Sequence, residues 1–123
     1  LLVVDDDSDS TDVVCALLES CGADVQSAAS AAEALEVLRH WTPDLVVTDI
    51  GMPGTDGYAL LAAMQRREAQ LGRIPAIALT AFATREDQVR ILAAGFQLHV
   101  TKPIDPLELV TAVANVAKMI GKL

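Results

Sequence analysis

The sequence predicts an α/β fold in which helices cover both faces of a parallel β-sheet. Three observations predict it. Strand-like and helix-like segments alternate five times along the 123 residues, the pattern from which strand–helix–strand units are built. The strand-like runs are nearly continuous in Leu, Val, Ile and Ala, as in strands buried on both faces. The runs also end in a common kind of group. Leu1-Leu2-Val3-Val4 meets Asp5-Asp6-Asp7, Leu45-Val46-Val47-Thr48 meets Asp49, Ile77-Ala78-Leu79 meets Thr80, and Leu98-His99-Val100-Thr101 meets Lys102-Pro103. In open parallel sheets, ligands bind outside the carboxyl ends of the strands. All these polar groups should therefore converge on one edge.

Each element has its own signal. After the first strand, Val13, Val14, Leu17 and Leu18 recur at helical spacing between Asp9 and Cys21, which predicts a helix. Cys21-Gly22 stops it, and Asp24 to Ala28 reads as a short second strand. Ser30-Ala31-Ala32-Glu33 has the form of a capping box and opens a second helix with Leu35 and Leu38 inward. Pro43 blocks further helix, and Leu45 to Val47 form a buried strand. Met52-Pro53-Gly54-Thr55-Asp56-Gly57 is rich in turn formers, and Tyr58 to Arg67 follows as a third helix. Ala76 to Thr80 is the fourth strand. A helix from Arg85 to Ala94 stops at Gly95, and the fifth strand ends at Lys102. Asp105-Pro106-Leu107-Glu108 combines an N-cap, a proline at the first helical position and a box glutamate. The helix it opens should turn Leu107, Val110, Val113 and Ala117 inward.

Composition narrows the function. Hydrophobic residues make up 52% of the chain and aromatics only 3%, so the core is aliphatic. A formal charge of −8 argues against a nucleic-acid or anionic-membrane surface, since both need clustered Lys and Arg. No apolar run approaches the ~20 residues that span a bilayer, and no basic segment precedes an apolar one as in a signal peptide. Cys15 and Cys21 lie six positions apart in one predicted helix, about 240° around its axis, so they cannot readily pair. Both read as small buried hydrophobes of a reduced, cytoplasmic protein. The chain starts inside its first strand without an initiator Met, as expected of a single domain, residues 1–123, cut from a longer protein.

The strand-end groups suggest a chemistry. Mg²⁺ prefers oxygen ligands, usually one or two carboxylates with waters and a phosphate oxygen. Asp5, Asp6 and Asp49 are candidate ligands. Alternatively, Asp5 to Asp9 form a solvated loop that caps the first helix. Asp49 favours the metal, because a carboxylate closing a buried apolar strand is costly without a partner. Asp5, Asp7 and Asp9 imitate the start of an EF-hand, but Ser10 stands in place of its glycine and Ala16 in place of its closing glutamate. Asp7-Ser8-Asp9-Ser10-Thr11 imitates the nucleophile motif of haloacid-dehalogenase-like phosphatases. It lies past the strand end, and no acidic pair follows Lys102 to complete such a site.

Taken in order, Val4-Asp5-Asp6, Asp49-Ile50-Gly51-Met52-Pro53-Gly54-Thr55-Asp56-Gly57, Leu79-Thr80-Ala81 and Lys102-Pro103 resemble the receiver domain of bacterial two-component response regulators. The resemblance covers the whole chain. It implies a three-layer flavodoxin-like (βα)5 sandwich with strand order 2-1-3-4-5. It also implies that Asp49 takes a phosphoryl group from a phosphohistidine. Mg²⁺ (or Mn²⁺ in its place) would be held by Asp5, Asp6, Asp49 and the Gly51 carbonyl, with Asp5 acting largely through water. The Lys102 ammonium, the Thr80 hydroxyl and the Ala81 N–H would meet the phosphoryl oxygens. Thr80 and His99 would form the switch, with His99 where tyrosine or phenylalanine is commoner. Gly51 and Phe82 would form the rim, Phe82 shielding the acyl phosphate from water. Pro53, Gly57 and Pro103 would shape the loops, the Lys102–Pro103 peptide often being cis in the family.

Three functions follow from these residues. One is a phosphoacceptor module in a phosphorelay, partnered by a histidine kinase or histidine phosphotransfer domain and by an unknown output protein. Another is a Mg²⁺-dependent phosphohydrolase, which the missing acidic pair disfavours. The third is a phosphate-independent interaction domain of the same fold, which the full Asp5, Asp6, Asp49, Thr80 and Lys102 set disfavours. Asp49-Ile50-Gly51-Met52-Pro53 and the run from Gly95 to Pro103 look most like receivers of hybrid sensor histidine kinases, whose parent proteins can be membrane-anchored. By the same resemblance, the output surface is the face of the fourth helix, fifth strand and last helix.

Overall fold

Five short strands lie side by side and parallel in a computed structural model, which describes residues 1–51, 56–81, 84–119 and 121. They are β1 (Leu2–Val4), β2 (Gln26–Ala28), β3 (Val46–Asp49), β4 (Ala76–Thr80) and β5 (Leu98–Thr101), in the order β2-β1-β3-β4-β5. The helices between them are α1 (Ser8–Ser20), α2 (Ala31–His40), α3 (Gly57–Arg66), α4 (Glu68–Leu71), α5 (Arg85–Ala94) and α6 (Pro106–Met119). This is the expected order 2-1-3-4-5. The single turn of α4 is an addition to the five helices that the alternation predicts, and β2 begins two residues later than Asp24.

The apolar runs are continuous because successive strand residues enter opposite cores. Leu2, Val4, Val46, Ala76 and Ala78 pack with Ala34, Leu38, Leu60, Leu61, Met64 and Ile91, from α2, α3 and α5. Val3, Val47, Ile77, Leu79 and Val100 pack with Val14 and Leu18 of α1 and Leu109, Ala112 and Val116 of α6. Three layers result, with α2, α3 and α5 on one face of the sheet and α1 and α6 on the other.

Local signals set the helix ends. The Asp7 carboxylate caps α1 by accepting from the N–H groups of Asp9 and Ser10. Ser30 Oγ accepts from the Glu33 N–H at 3.1 Å, and Glu33 reaches back to the Ala29 N–H at 3.2 Å, a box displaced by one residue. Gly95 ends α5 with φ +113°, a conformation that suits glycine.

Two expectations need correction. The inward stripe of α6 is Leu109, Ala112 and Val116, while Leu107 is 74% exposed. Val110, Val113 and Ala117 are half-buried, Val113 packing against the same core, so the buried stripe is shifted by one residue around the helix from the expected one. On α1, whose buried residues are Val14 and Leu18, the expectation that fails is burial of both cysteines. Cys15 is half-buried and Cys21 exposed, and neither is in a disulfide. Cys21 is the C-cap of α1, outside the helix whose apolar stripe would have covered it. Among the described residues, no helix is long and apolar enough to cross a membrane.

Candidate functional site

The carboxyl ends of β1, β3, β4 and β5 bring the expected groups together. Asp5 leaves β1 tied to β2 by its N–H, which donates to the Ala28 carbonyl at 3.1 Å. Its carboxylate is 1% exposed and engaged at both oxygens. Oδ1 accepts from the Asp7 N–H at 3.0 Å and Oδ2 from Lys102 Nζ at 3.0 Å. Asp49 closes β3 with its carboxylate 13% exposed. Its Oδ1 accepts from the Gly51 N–H at 3.0 Å, and its Oδ2 lies 3.3 Å from Lys102 Nζ. Asp6 is exposed. One carboxylate oxygen from each of Asp5, Asp6 and Asp49 lies within 4.8 Å of the other two.

Lys102 is the counter-ion of this cluster. Desolvation of its ammonium works to lower its pKa, but the hydrogen bond to Asp5 and the charges of Asp49 and Asp5 outweigh it, and the pKa rises. The ammonium is therefore charged at neutral pH. Asp5 is pushed the other way from a usual carboxylate. Burial raises its pKa, the Asp7 N–H and Lys102 offset part of the rise, and the Asp49 charge adds to it. Two buried or half-buried carboxylates share one ammonium, a surplus of negative charge that a divalent cation would relieve. The donor set is three hard oxygens, which fits Mg²⁺ rather than a soft metal.

Around this centre, Thr80 ends β4 buried at 1% exposure, and Ala81 follows it, exposed. The Thr80 carbonyl accepts from the Lys102 N–H at 2.7 Å, which joins the two strand ends. The Lys102–Pro103 peptide is cis. His99 is half-buried on β5 and pairs in register with Ala78, so strand alternation puts it on the α5 side of the sheet with Thr80. Gly51 places no side chain beside Asp49; among the described residues, a Cβ there would meet only Asp49 Oδ1, at 3.7 Å. Gly57 begins α3 against the Asp49 backbone. Pro53 and Phe82 lie outside the described residues.

Thr11, notable in the sequence only as the end of a phosphatase-like run, also borders the site. Its hydroxyl lies 3.3 Å from the Asp5 carbonyl and 3.0 Å from that of Asp7. A hydroxyl in the first turn of a helix reads as surface, and no periodicity marks it.

The model of the response regulator receiver domain family matches residues 1–114. The chain is a receiver domain. It is 46% identical over 114 residues to an uncharacterized 14.6 kDa protein of Leptolyngbya boryana, covering 92% of this chain and 86% of that one. It is 39% identical to response regulator Rre1 of Synechocystis over 94% of its own length. The match takes in 50% of Rre1 and 53% of the phosphate regulon regulator PhoB of Escherichia coli, which is 33% identical; the chain spans about half of each. Among solved structures, chemotaxis protein CheY4 of Vibrio cholerae superposes with a TM-score of 0.86 at 28% identity, over 94% of this chain and 95% of that one. The receiver domain of a Syntrophus aciditrophicus signal transduction histidine kinase gives 0.83 at 30% identity, over 99% and 92%. Receiver domains accept a phosphoryl group on an aspartate and bind Mg²⁺ through an acidic cluster, and this receiver carries such a cluster. As a two-component signalling domain, it works between a phosphodonor and an output partner.

Proposed function

We propose that Asp49 is the phosphoacceptor and that its donor is the phosphohistidine of a kinase or phosphotransfer domain. An Asp49 carboxylate oxygen attacks phosphorus, the new P–O bond forms as the P–N bond breaks, and the imidazole nitrogen leaves with the electron pair. The nucleophile is the carboxylate itself, so the step uses no general base. Phosphoryl transfer is mainly positioning and charge neutralisation, and the geometry around Asp49 supports both. Gly51 N–H orients one oxygen, Lys102 stands at the other, and the Thr80 hydroxyl and Ala81 N–H offer donors to the phosphoryl group. Asp6 and Asp49 with the Gly51 carbonyl are the direct metal ligands, while Asp5 acts through water because both its oxygens are already engaged. Bound there, Mg²⁺ supplies positive charge to the phosphoryl oxygens, and Mn²⁺ serves in its place. The same residues promote loss of the phosphoryl group to water.

The reading extends to Thr80 and His99 as the switch pair and to the α5–β5–α6 face as the output surface. Val89, Leu92 and Leu107 are exposed there, which suits contact with an output domain of a longer response regulator or hybrid kinase acting in the cytoplasm. The observation that carries the proposal is the Asp5–Lys102–Asp49 bridge beside exposed Asp6. Its test is the intact mass after incubation with acetyl phosphate, with and without Mg²⁺. One phosphoryl adduct should appear, require Mg²⁺ and vanish in Asp49→Asn. An adduct that persists in Asp49→Asn would overturn the assignment.

A further inference from the structure

We infer that Thr11 is a positioning residue for the cation site, holding Asp6 in place from the first turn of α1. Asp6 is the exposed member of the acidic cluster. Its neighbours on both sides are anchored. Asp5 is fastened by its N–H to β2 and by its carboxylate to Asp7 and Lys102. Asp7 is fastened as the cap of α1. The Thr11 hydroxyl joins the two anchors, facing the carbonyl of Asp5 at 3.3 Å and that of Asp7 at 3.0 Å. The two carbonyls flank Asp6, so the hydroxyl fixes how the chain crosses from strand to helix at that residue.

The two contacts differ in consequence. The Asp7 carbonyl also accepts from the Thr11 N–H at 3.0 Å, so it keeps a helical partner without the hydroxyl. The Asp5 contact is the one that ties the strand end to the helix, six residues on. Removing it leaves α1 intact and frees the Asp5–Asp6 peptide to turn. A metal ligand whose backbone can turn must be ordered when the cation binds, and that cost appears as lost affinity. Valine matches threonine in shape and branching without the hydroxyl, whereas serine keeps the hydroxyl and loses the methyl group.

This inference rests on the cation-binding reading of the site, and one titration separates the two. Mg²⁺ binding is measured by calorimetry for wild type, Thr11→Val and Thr11→Ser, with thermal unfolding in EDTA alongside. The expected result is a Kd raised about tenfold in Thr11→Val, the lower end for groups that orient metal ligands. Thr11→Ser should bind close to wild type, and the unfolding temperatures of the three apo proteins should be alike. Wild-type affinity in Thr11→Val, or equal loss in both variants, would overturn the role of the hydroxyl. Failure of wild type itself to bind Mg²⁺ would instead overturn the cation site.

Discussion

Gly57 shows how little room surrounds Asp49. A Cβ at this position would lie 2.6 Å from the Asp49 carbonyl oxygen and 2.8 Å from the Ile50 Cα. Both are backbone atoms and cannot step aside as a side chain would. Gly57→Ala should therefore displace either α3 or the end of β3. We expect a loss of about 1–3 kcal/mol in urea unfolding, together with slower adduct formation from acetyl phosphate at Asp49. Unchanged stability would mean that the α3 start is free to move. The sequence marks Gly57 only as part of a turn-rich loop. That it meets Asp49, eight residues earlier in the chain, depends on where α3 docks.

At the scale of elements, α6 separates what periodicity can resolve from what it cannot. Apolar residues occur on much of its circumference, so several stripes fit the same helix. Docking against β5 and α1 selects Leu109, Ala112 and Val116 and leaves Leu107 74% exposed. Leu109→Ala should cost about 2–5 kcal/mol, and Leu107→Ala no more than about 0.5 kcal/mol, both read from chemical denaturation. Similar losses at the two positions would restore the stripe through Leu107. The strands were legible for the opposite reason: buried on both faces, they need no phase. The helix cap and the carboxylate cluster, which the sequence offers as alternatives, both occur in the acidic segment, since Asp7 caps α1 while Asp5 and Asp6 join Asp49.

Across the whole molecule, charge is segregated. Residues 1–38 contain nine of the 17 carboxylates and no Lys or Arg. Several of them gather near the site, where Asp6, Asp12 and Glu33 line a cleft of about 210 Å³. Such a mouth repels a small anionic phosphodonor and attracts a basic protein surface. Salt screens this field over about 10 Å at 0.1 M. With Mg²⁺ held saturating, the initial rate of phosphorylation by acetyl phosphate should rise about two- to threefold as NaCl increases from ~0.02 to ~0.2 M. A falling rate would show that the local field at the site is already positive.

The types of every element except α4, the parallel architecture and the inventory of strand-end groups were determined by the sequence alone, because apolar runs, caps and turn residues act over a few neighbouring positions. Only the tertiary structure decided that Lys102 bridges Asp5, 97 residues away, and Asp49. It also decided that both Asp5 oxygens are engaged while Asp6 stays exposed, that Thr11 spans the Asp5 and Asp7 carbonyls, and which stripe of α6 faces inward. These are distances between groups far apart along the chain or set by docking angle. Packing of the three layers determines such distances, and no spacing in the sequence carries them.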